Sequence, residues 1–329
     1  MTPIHNPVSS ALFMVTAGAL YAAVNFVTAF ATGNPEWGCQ TAQGQACLAF
    51  DSRSYTFYQY GIALLFTLPF IMGKGSLAAL KTHSFPLHFL RVAAAVLGVE
   101  LWVAGFARGV PLWTMVALLM TSPLFVLAGS ALFLKEHVGL PRIMATVVGF
   151  VGAIIILEPW HGIDANRLFP LAASMAWALS SLCVRPLARR DSAETITLWL
   201  LILFTPLAFL ATYIYPDMSG QKEGFWGFGQ GVVIPGETFI IVLLLVAGFL
   251  SAIAQLCLAL SYKLGDASYV QPFDHVKLLF NIAISWWLFK DAPQGILWIG
   301  VLLILGSSVF IGVREFMNHN REVQPTGSV

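Results

Sequence analysis

The stretches TSPLFVLAGSALFLKEHVGLPRIMATVVGFVGAIIILEP, residues 121–159, and QPFDHVKLLFNIAISWWLFKDAPQGILWIGVLLILGSSVFIGVRE, residues 271–315, follow one order of features. Each begins with a proline followed by leucine or phenylalanine, continues as a long apolar run, and reaches a Lys-Glu or Lys-Asp pair. A helix with spaced glycines follows in each, and these glycines are Gly149, Gly152, Gly300 and Gly306. Such self-similarity at a distance predicts an internal repeat.

The composition places most of the chain in lipid rather than in water. Only 10% of its 329 residues are charged, whereas a soluble domain carries about 25%, and the mean hydropathy is +0.78. Apolar runs long enough to cross a hydrocarbon core of about 30 Å recur along its length. They predict ten spans, at residues 10–31, 55–73, 86–107, 111–134, 140–157, 168–185, 194–215, 238–261, 267–288 and 295–313. The net charge of +1 gives no electrostatic reason to expect nucleic acid or an acidic partner.

The ten spans divide into two halves of five. An odd number of spans in each half makes the second half inverted relative to the first. The first repeat is predicted at residues 1–160, and the second, with a short cytoplasmic tail, at residues 161–329. The expected fold class is an all-α polytopic membrane protein with ten transmembrane helices in two inverted five-helix repeats. In transporters of this kind the substrate site lies near the membrane midplane.

The distribution of basic residues sets the expected orientation. With the N-terminus in the cytoplasm, eleven lysines and arginines fall in inner loops, five fall in outer loops, and Lys277 lies within the membrane. Both termini are therefore predicted to be cytoplasmic. No lysine or arginine precedes Arg53, so the first span lacks the basic region of a cleavable signal peptide.

Two cysteines lie in the first outer loop. These are Cys39 and Cys47, whereas Cys183 and Cys257 fall within predicted spans. An outward-facing loop meets an oxidising compartment, so a Cys39–Cys47 disulfide is predicted, with two free thiols as the alternative.

The order S-P-L-F…L-F-L-K-E…G-F-V-G…I-L-E-P in the first half resembles the EamA-type transporters of the drug/metabolite transporter superfamily. So does Q-L-C-L-A-L-S-Y-K-L-G-D-A-S…P-F-D…L-L-F…W-W-L-F-K-D at residues 255–291, and the likeness covers about residues 10–314. The resemblance implies a central cavity lined by the first to fourth and sixth to ninth helices. It also implies a carrier of the bacterial inner membrane that exports or exchanges small polar metabolites by alternating access, without ATP hydrolysis. These motifs do not specify the substrate.

The ninth predicted span contains ionisable side chains within an apolar run, YVQPFDHVKLLFNIAIS at residues 269–285. At 100° per residue, five polar side chains share one helix face about 120° wide. They are Gln271, Asp274, Lys277, Asn281 and Ser285. His275 lies at the edge of that face, where a packing role is the favoured interpretation. A charge at the bilayer centre costs at least about 2.5–3.5 kcal/mol, so this face is predicted to line the central cavity.

Glu100 is a further acid within the membrane, in the third span. Its depth is about 5 Å outward of the middle of that span, which would allow Lys277 to lie between Asp274 and Glu100. The EamA-type resemblance implies a basic residue at the Lys277 position, whereas an acid at position 100 departs from the family pattern. We predict that Lys277 holds a substrate carboxylate while Asp274 or Glu100 meets an amine or exchanges a proton. A structural ion pair between helices is the alternative.

Other spans contribute further candidates for the cavity, which are amides, hydroxyls and aromatic side chains. They are Tyr21, Asn25, Tyr58, Gln59, Tyr60, Trp102, Trp177, Ser180, Ser181, Trp199 and Gln255. Buried amides require hydrogen-bond partners, so Asn25, Gln59 and Gln255 are the stronger candidates. The aromatic faces suit a zwitterionic or heteroaromatic metabolite, with helix packing or interfacial anchoring as the alternative.

The predicted function is secondary transport of small polar metabolites. Amino acids or amine-bearing derivatives are favoured because Glu100, Asp274 and Lys277 carry a summed charge of −1 when all are ionised. A small-molecule substrate and the lipid bilayer are the expected partners, with protons as a candidate coupling ion, no cofactor, and a monomeric or homodimeric chain. A passive facilitator or channel is the alternative. A membrane enzyme is less favoured because the sequence has no H-E-x-x-H or G-x-S-x-G motif.

Overall fold

In the computed structural model of the protein, the described residues are 7–33, 40–41, 44–72, 82, 84–133, 139–161, 164–188, 190–191, 193–214, 231–264, 273 and 276–323. Within them the chain forms helices and no strand, apart from one isolated bridge between Gln40 and Ala46. The helices are α1 (Pro7–Thr32), α2 (Ser52–Met72), α3 (Phe85–Ala107), α4 (Leu112–Leu119), α5 (Ser122–Phe133), α6 (Leu140–Leu157), α7 (Leu168–Ala188), α8 (Ala193–Ile214), α9 (Thr238–Leu264), α10 (Val276–Ile284) and α11 (Leu297–Val323). A π-helical turn, Ser285–Phe289, continues α10.

The helices confirm the prediction of ten membrane spans, since α4 and α5 together form the fourth. Within the described part of the chain, four helical stretches are long and apolar enough to cross a membrane: Val8–Thr32, Phe85–Ala107, Leu112–Gly129 and Thr238–Leu258. Shorter apolar helices occur at Ile143–Leu157, Trp199–Tyr213, Val276–Phe289 and Leu297–Ile311. The clearest difference from the predicted limits is at α11, which continues to Val323, beyond the expected end at residue 313.

The fourth span is divided at Met120 and Thr121, between α4 and α5. The Thr121 hydroxyl lies 2.6 Å from the Leu118 carbonyl oxygen and 2.8 Å from the Ser174 hydroxyl of α7. The Met120 carbonyl oxygen, at the break, accepts a hydrogen bond of 2.9 Å from the Ser308 hydroxyl of α11. Side chains of two neighbouring helices therefore satisfy polar groups at the break, as an interruption within a membrane requires.

The packing of the helices follows the inverted repeat that the sequence predicts. The first helix of each repeat packs along the third helix of the other repeat, so α1 lies against α9 and α7 lies against α3. The second helices do the same, α2 against α9 and α8 against α3. The last helices of the two repeats, α6 and α11, pack against each other. The first two kinds of contact therefore occur twice, once from each repeat, and the contact of α6 with α11 is its own counterpart. This arrangement is that of a pseudo-two-fold axis.

Gly152 of α6 and Gly300 of α11 meet near this axis. A Cβ on residue 152 would lie 2.7 Å from the Gly300 carbonyl oxygen, and one on residue 300 would lie 2.9 Å from the Gly152 carbonyl oxygen. Only glycine therefore allows the two backbones to approach so closely. Gly149 is similarly crowded, by Leu124 and Ser307, whereas a Cβ on Gly306 would meet no atom within 4 Å. Three of the four glycines in the repeated pattern thus mark helix contacts.

The interior and the surface of the bundle are both apolar. Met115, Leu118 and Ile156 are fully buried, whereas Leu302 of α11 is 61% exposed. A soluble domain would not expose so many large apolar side chains, but lipid tails solvate them. Water-driven burial therefore does not select the inner face, and small residues and polar contacts have a larger part in joining the helices.

The cysteines divide as the sequence suggests. Cys183 and Cys257 are buried free thiols. Cys47 is 3% exposed and disulfide-bonded. Cys39 lies outside the described residues, so its pairing with Cys47 stays a prediction.

Candidate functional site

A cavity of about 140 Å³ lies between α2, α3, α7, α8 and α9. Four residues proposed from the sequence meet there, namely Tyr60, Trp177, Ser180 and Gln255. The described residues that line it are Tyr60, Arg91, Ala95, Val99, Trp177, Ser180, Leu200, Leu201, Phe204 and Gln255. Helices of both repeats contribute to it, as expected for a site at the interface between repeats.

One wall of the cavity is a set of aromatic rings. Tyr60 of α2 and Phe204 of α8 stack with ring centroids 3.9 Å apart and planes at 24°. Trp177 of α7 packs against Trp102 of α3 at 5.9 Å. A Cβ on Gly98 would lie 3.3 Å from two atoms of the Trp177 indole, so the small residue lets the ring approach α3. This wall offers flat apolar faces on which a planar ligand can stack.

The other wall is polar and carries a positive charge. The Nη1 of Arg91 donates a hydrogen bond of 2.8 Å to the Ile196 carbonyl oxygen at the start of α8. The Nε of Arg91 is buried and has no hydrogen-bond partner among the described residues. Gln255 and Ser180 add an amide and a hydroxyl, and no carboxylate is among the described residues of the lining. The cavity can therefore donate hydrogen bonds to carbonyl oxygens or anions and can both donate and accept through the amide.

The sequence analysis did not propose two members of this lining, Arg91 and Phe204. Arg91 is counted among the inner lysines and arginines that set the orientation, although the predicted third span, residues 86–107, contains it, and this is the signal that could have found it. In the structure α3 begins at Phe85, so the arginine lies within the helix. For Phe204 the sequence offers no such signal, because its contact with Tyr60 depends on how α8 faces α2.

A second polar cluster joins α1 to α10. The Asn25 side-chain amide donates to the Asn281 side-chain oxygen at 3.1 Å, and the Asn281 amide donates to the Lys277 carbonyl oxygen at 2.6 Å. A Cβ on Gly18 would lie 3.4 Å from the Lys277 Cβ, so the two helices are in close contact there. Asn281 is fully buried and Lys277 is half-buried. The structure thus brings Asn25 and Asn281 together with the backbone of Lys277, and the prediction that this face lines the central cavity stays a prediction.

Two members of that predicted face, Gln271 and Asp274, lie outside the described residues, as does His275 at its edge. The proposed contact between Lys277 and Asp274 therefore stays a prediction. Ser285, the last member, is buried at the π-helical turn.

The remaining candidates lie in contacts between helices. The Gln59 amide donates to the Ser251 hydroxyl at 3.0 Å, which joins α2 to α9. Tyr58 packs on Phe57 with ring centroids 5.3 Å apart. Glu100 is 4% exposed and interacts with residues of α2 and the turn before it, and it is not among the residues that line the cavity. The predicted position of Lys277 between two carboxylates also stays a prediction.

Polar contacts close the two ends of the bundle. At the end where α3 and α8 begin, Nε2 of His88 lies 2.8 Å from a carboxylate oxygen of Asp191, and both side chains are buried. At the opposite end, the Trp113 indole donates to Asp291 at 3.1 Å. Burial raises the pKa of the Asp291 carboxyl, and the hydrogen bond from Trp113 and the charge of Arg167 oppose that rise.

The described residues contain no group of three or more His, Cys, Asp or Glu side chains that could hold a metal ion. The described residues of the cavity offer aromatic stacking, hydrogen bonding and the charge of the Arg91 guanidinium.

The sequence matches the model of the EamA-like transporter family twice, over residues 18–158 and 167–313. A protein of Rhizobium johnstonii named riboflavin transporter is 43% identical, over 96% of this chain and 94% of that protein. A riboflavin transporter of Vibrio cholerae is 38% identical, over 97% of each chain. An S-adenosylmethionine uptake transporter of Rickettsia conorii is 24% identical, over 83% of this chain and 87% of that protein.

A solved crystal structure of another protein has a similar fold. The TM-score is 0.56, over 96% of this chain and 99% of that chain, at 15% sequence identity. At this identity the likeness concerns the fold alone.

Proposed function

Since the chain belongs to the EamA-like transporter family, we propose that it is a secondary transporter of riboflavin or of a closely related flavin. Family membership makes it a multi-pass membrane transporter of small molecules and not an enzyme. The substrate, the mechanism and the orientation that follow are parts of the proposal.

The observation that carries the proposal is the pairing of a flat aromatic wall with hydrogen-bond donors in one cavity. A flavin is a planar three-ring system, with carbonyl oxygens and an N–H on one edge and a polyhydroxyl chain on the ring nitrogen. Its rings match the stacked Tyr60 and Phe204 and the indole of Trp177. Its carbonyl edge matches Arg91, and its N–H matches the amide oxygen of Gln255. The names of the Rhizobium and Vibrio relatives point to the same substrate.

The cavity gives less support to the amine-bearing substrate favoured by the sequence. An amine is held most strongly by a carboxylate, and among the described residues the lining provides the cation Arg91 and no carboxylate. Glu100 does not line the cavity, and Asp274 lies outside the described residues. Amino acids are therefore the competing substrate class in the test below. The predicted role of Lys277, binding of a substrate carboxylate, belongs to the amino-acid alternative, since riboflavin has no carboxylate.

We also propose transport by alternating access in a bacterial inner membrane, with both termini in the cytoplasm. The pseudo-two-fold packing supplies two repeats that can exchange conformations. A cavity of about 140 Å³ is smaller than the roughly 300–1,000 Å³ that enclose most organic ligands. The helices must therefore move apart for a flavin to bind fully, which favours a carrier over a fixed channel.

The test is riboflavin binding and flux with purified protein. Riboflavin fluorescence should be quenched on binding, because its rings would stack on aromatic side chains. Phe204→Ala should weaken binding about tenfold, which corresponds to the loss of one stacking contact. The control is Trp286→Ala, since Trp286 is 63% exposed on the lipid-facing surface and should leave binding unchanged.

Flux in proteoliposomes completes the test. Riboflavin uptake should saturate and should accelerate when riboflavin is present on the far side, which distinguishes a carrier from a channel. Saturable flux of amino acids without flux of riboflavin would contradict the proposed substrate. Riboflavin flux that never saturates would favour the passive facilitator.

A further inference from the structure

Glu100 is a buried acid that the contacts of the substrate cavity do not use. It lies on α3 with 4% of its surface exposed, and its Oε1 has no hydrogen-bond partner among the described residues. The hydroxyl of Thr56 on α2 is its hydrogen-bond partner. A carboxylate with so few partners in a membrane interior would cost several kcal/mol.

Glu100 shares its hydrogen-bond partner with the backbone. The Thr56 hydroxyl also lies 3.1 Å from the Ser52 carbonyl oxygen, and its single hydrogen cannot be donated to both acceptors at once. The carboxylate form of Glu100 therefore has at most a shared donor in this contact.

Arg53 is the cation that interacts with Glu100 in the described part of the chain, and it also pairs with Asp51. The charged and titratable groups that interact with it in the described part of the chain are Asp51, Arg53 and Tyr60, all on α2 or just before it. Arg53 already lies 3.6 Å from Asp51. The helices α1, α4, α7 and α8 also pack against α3 and contribute no titratable group to this set among the described residues. A proton is therefore the simplest way to neutralise the acid.

Tyr60 links Glu100 to the substrate cavity through its electrostatic interaction with the acid. Tyr60 interacts with Glu100 on one side, and on the other it lines the cavity and stacks on Phe204. A change in the position or charge of Glu100 therefore alters the contact between α2 and α3 at the wall where the substrate stacks. Opening of this wall toward the α2 end would expose Glu100 to water and to Arg53, where the carboxylate form is stable.

We propose that Glu100 binds and releases a proton that is transported together with the substrate. The inference rests on the proposed function. The carboxylate takes up one proton from water when the cavity opens toward the end where α2 begins. It carries the proton while Glu100 is buried, and releases it when the cavity opens to the other side. No bond of the substrate changes, and one positive charge crosses the membrane with each neutral flavin.

The test uses the full chain in proteoliposomes and the variant Glu100→Gln, which keeps the shape of the side chain and cannot release a proton. An inward gradient of one pH unit should let the wild-type protein accumulate riboflavin up to about tenfold. Glu100→Gln should lose this accumulation completely and should still exchange labelled for unlabelled riboflavin at equal pH. Glu237→Gln is the control, because Glu237 is exposed at the start of α9 near the same end and should accumulate riboflavin like the wild type.

A second measurement does not depend on the variant folding. Riboflavin added to wild-type vesicles with a weakly buffered interior should acidify that interior, as a trapped pH dye reports. Accumulation by Glu100→Gln, or wild-type riboflavin flux without proton movement, would overturn the role of Glu100 and leave the proposed substrate intact. An absence of riboflavin exchange in the wild-type protein would instead overturn the proposed function and, with it, this coupling.

Discussion

Asp51 and Asp191 occupy matching positions, each just before the second helix of its repeat, and their carboxylates bind different partners. Asp51 accepts hydrogen bonds from the Ser54 amide at 2.8 Å and the Ser54 hydroxyl at 2.7 Å, within its own helix. Asp191 accepts a hydrogen bond of 2.7 Å from the hydroxyl of Thr82, just before α3, and lies 2.8 Å from Nε2 of His88, in the first turn of α3. The Asp51 side chain is 19% exposed and that of Asp191 is 3% exposed.

The difference teaches that two related positions in an inverted repeat can have different mechanical roles. Asp51 caps one helix, and α2 is joined to the segment before α9 by a hydrogen bond of 2.8 Å from the Val233 amide to the Ser54 hydroxyl. Asp191 joins two helices through buried side chains, and Arg91 adds a second connection to α8. We therefore expect the end that contains Asp191 to be the stiffer one. Opening the cavity toward that end requires these buried contacts to break.

The largest expected effect is that of Asp191→Ala. The change removes the partner of His88 and Thr82, and buried polar groups left without partners cost about 1–3 kcal/mol each. We expect the free energy of unfolding to fall by about 3 kcal/mol, measured by thermal unfolding of the detergent-purified protein. A fall no larger than that of the matched variant Asp51→Ala would show that the two ends are equivalent.

Asp51→Ala should have a smaller effect. It removes a helix cap near the surface, and the loss of such a cap costs about 1 kcal/mol. Asp51→Asn should be close to the wild type because asparagine caps helices equally well. The same thermal unfolding measurement checks both variants, and a loss for Asp51→Asn as large as that for Asp51→Ala would point to the ion pair with Arg53 rather than to the cap.

The smallest expected effect concerns Asp291, at the same end as Asp51. Burial raises its pKa in the folded state, so the folded protein holds this proton more tightly than the unfolded chain does. The resulting stability is present at pH values below about 4 and is lost as the pH rises through the raised pKa. Because the side chain is partly exposed, the loss should be less than about 1 kcal/mol. Unfolding of the wild type and of Asp291→Asn across this pH range checks the sign, since the difference between them should grow in favour of the variant as the pH rises.

The sequence predicted the fold well because the signals for it are local. Span length follows from runs of apolar residues, and the odd number of spans in each half makes the repeats inverted. The glycines of the repeated pattern indicated the repeat itself, and the structure places Gly152 and Gly300 at the contact of α6 with α11. The sequence predicted that the Asn25 amide needs a partner, and the structure supplies Asn281.

The roles of the candidate residues in substrate binding stay predictions, and the structure adds where they lie. Trp177 and Gln255 line the cavity, whereas Gln59 and Glu100 lie in other helix contacts. A polar residue in a span signals that it faces protein or a cavity, and it does not distinguish the two. Arg91 shows the same limit, since a cation near a helix start can face the cytoplasm or a cavity.

The sequence by itself determined the solvent, the number of spans and the inverted order of the repeats, because transfer of each apolar segment into lipid depends on that segment alone. Only the tertiary structure decided which polar side chains meet. The rotation of each helix about its own axis, and the choice of its neighbours, bring Arg91 and Gln255 to the same cavity. They also place Glu100 where it interacts with Tyr60. Those rotations depend on contacts between residues far apart in the chain, such as α3 with α7 and α8, and lipid that is as apolar as the side chains does not select them.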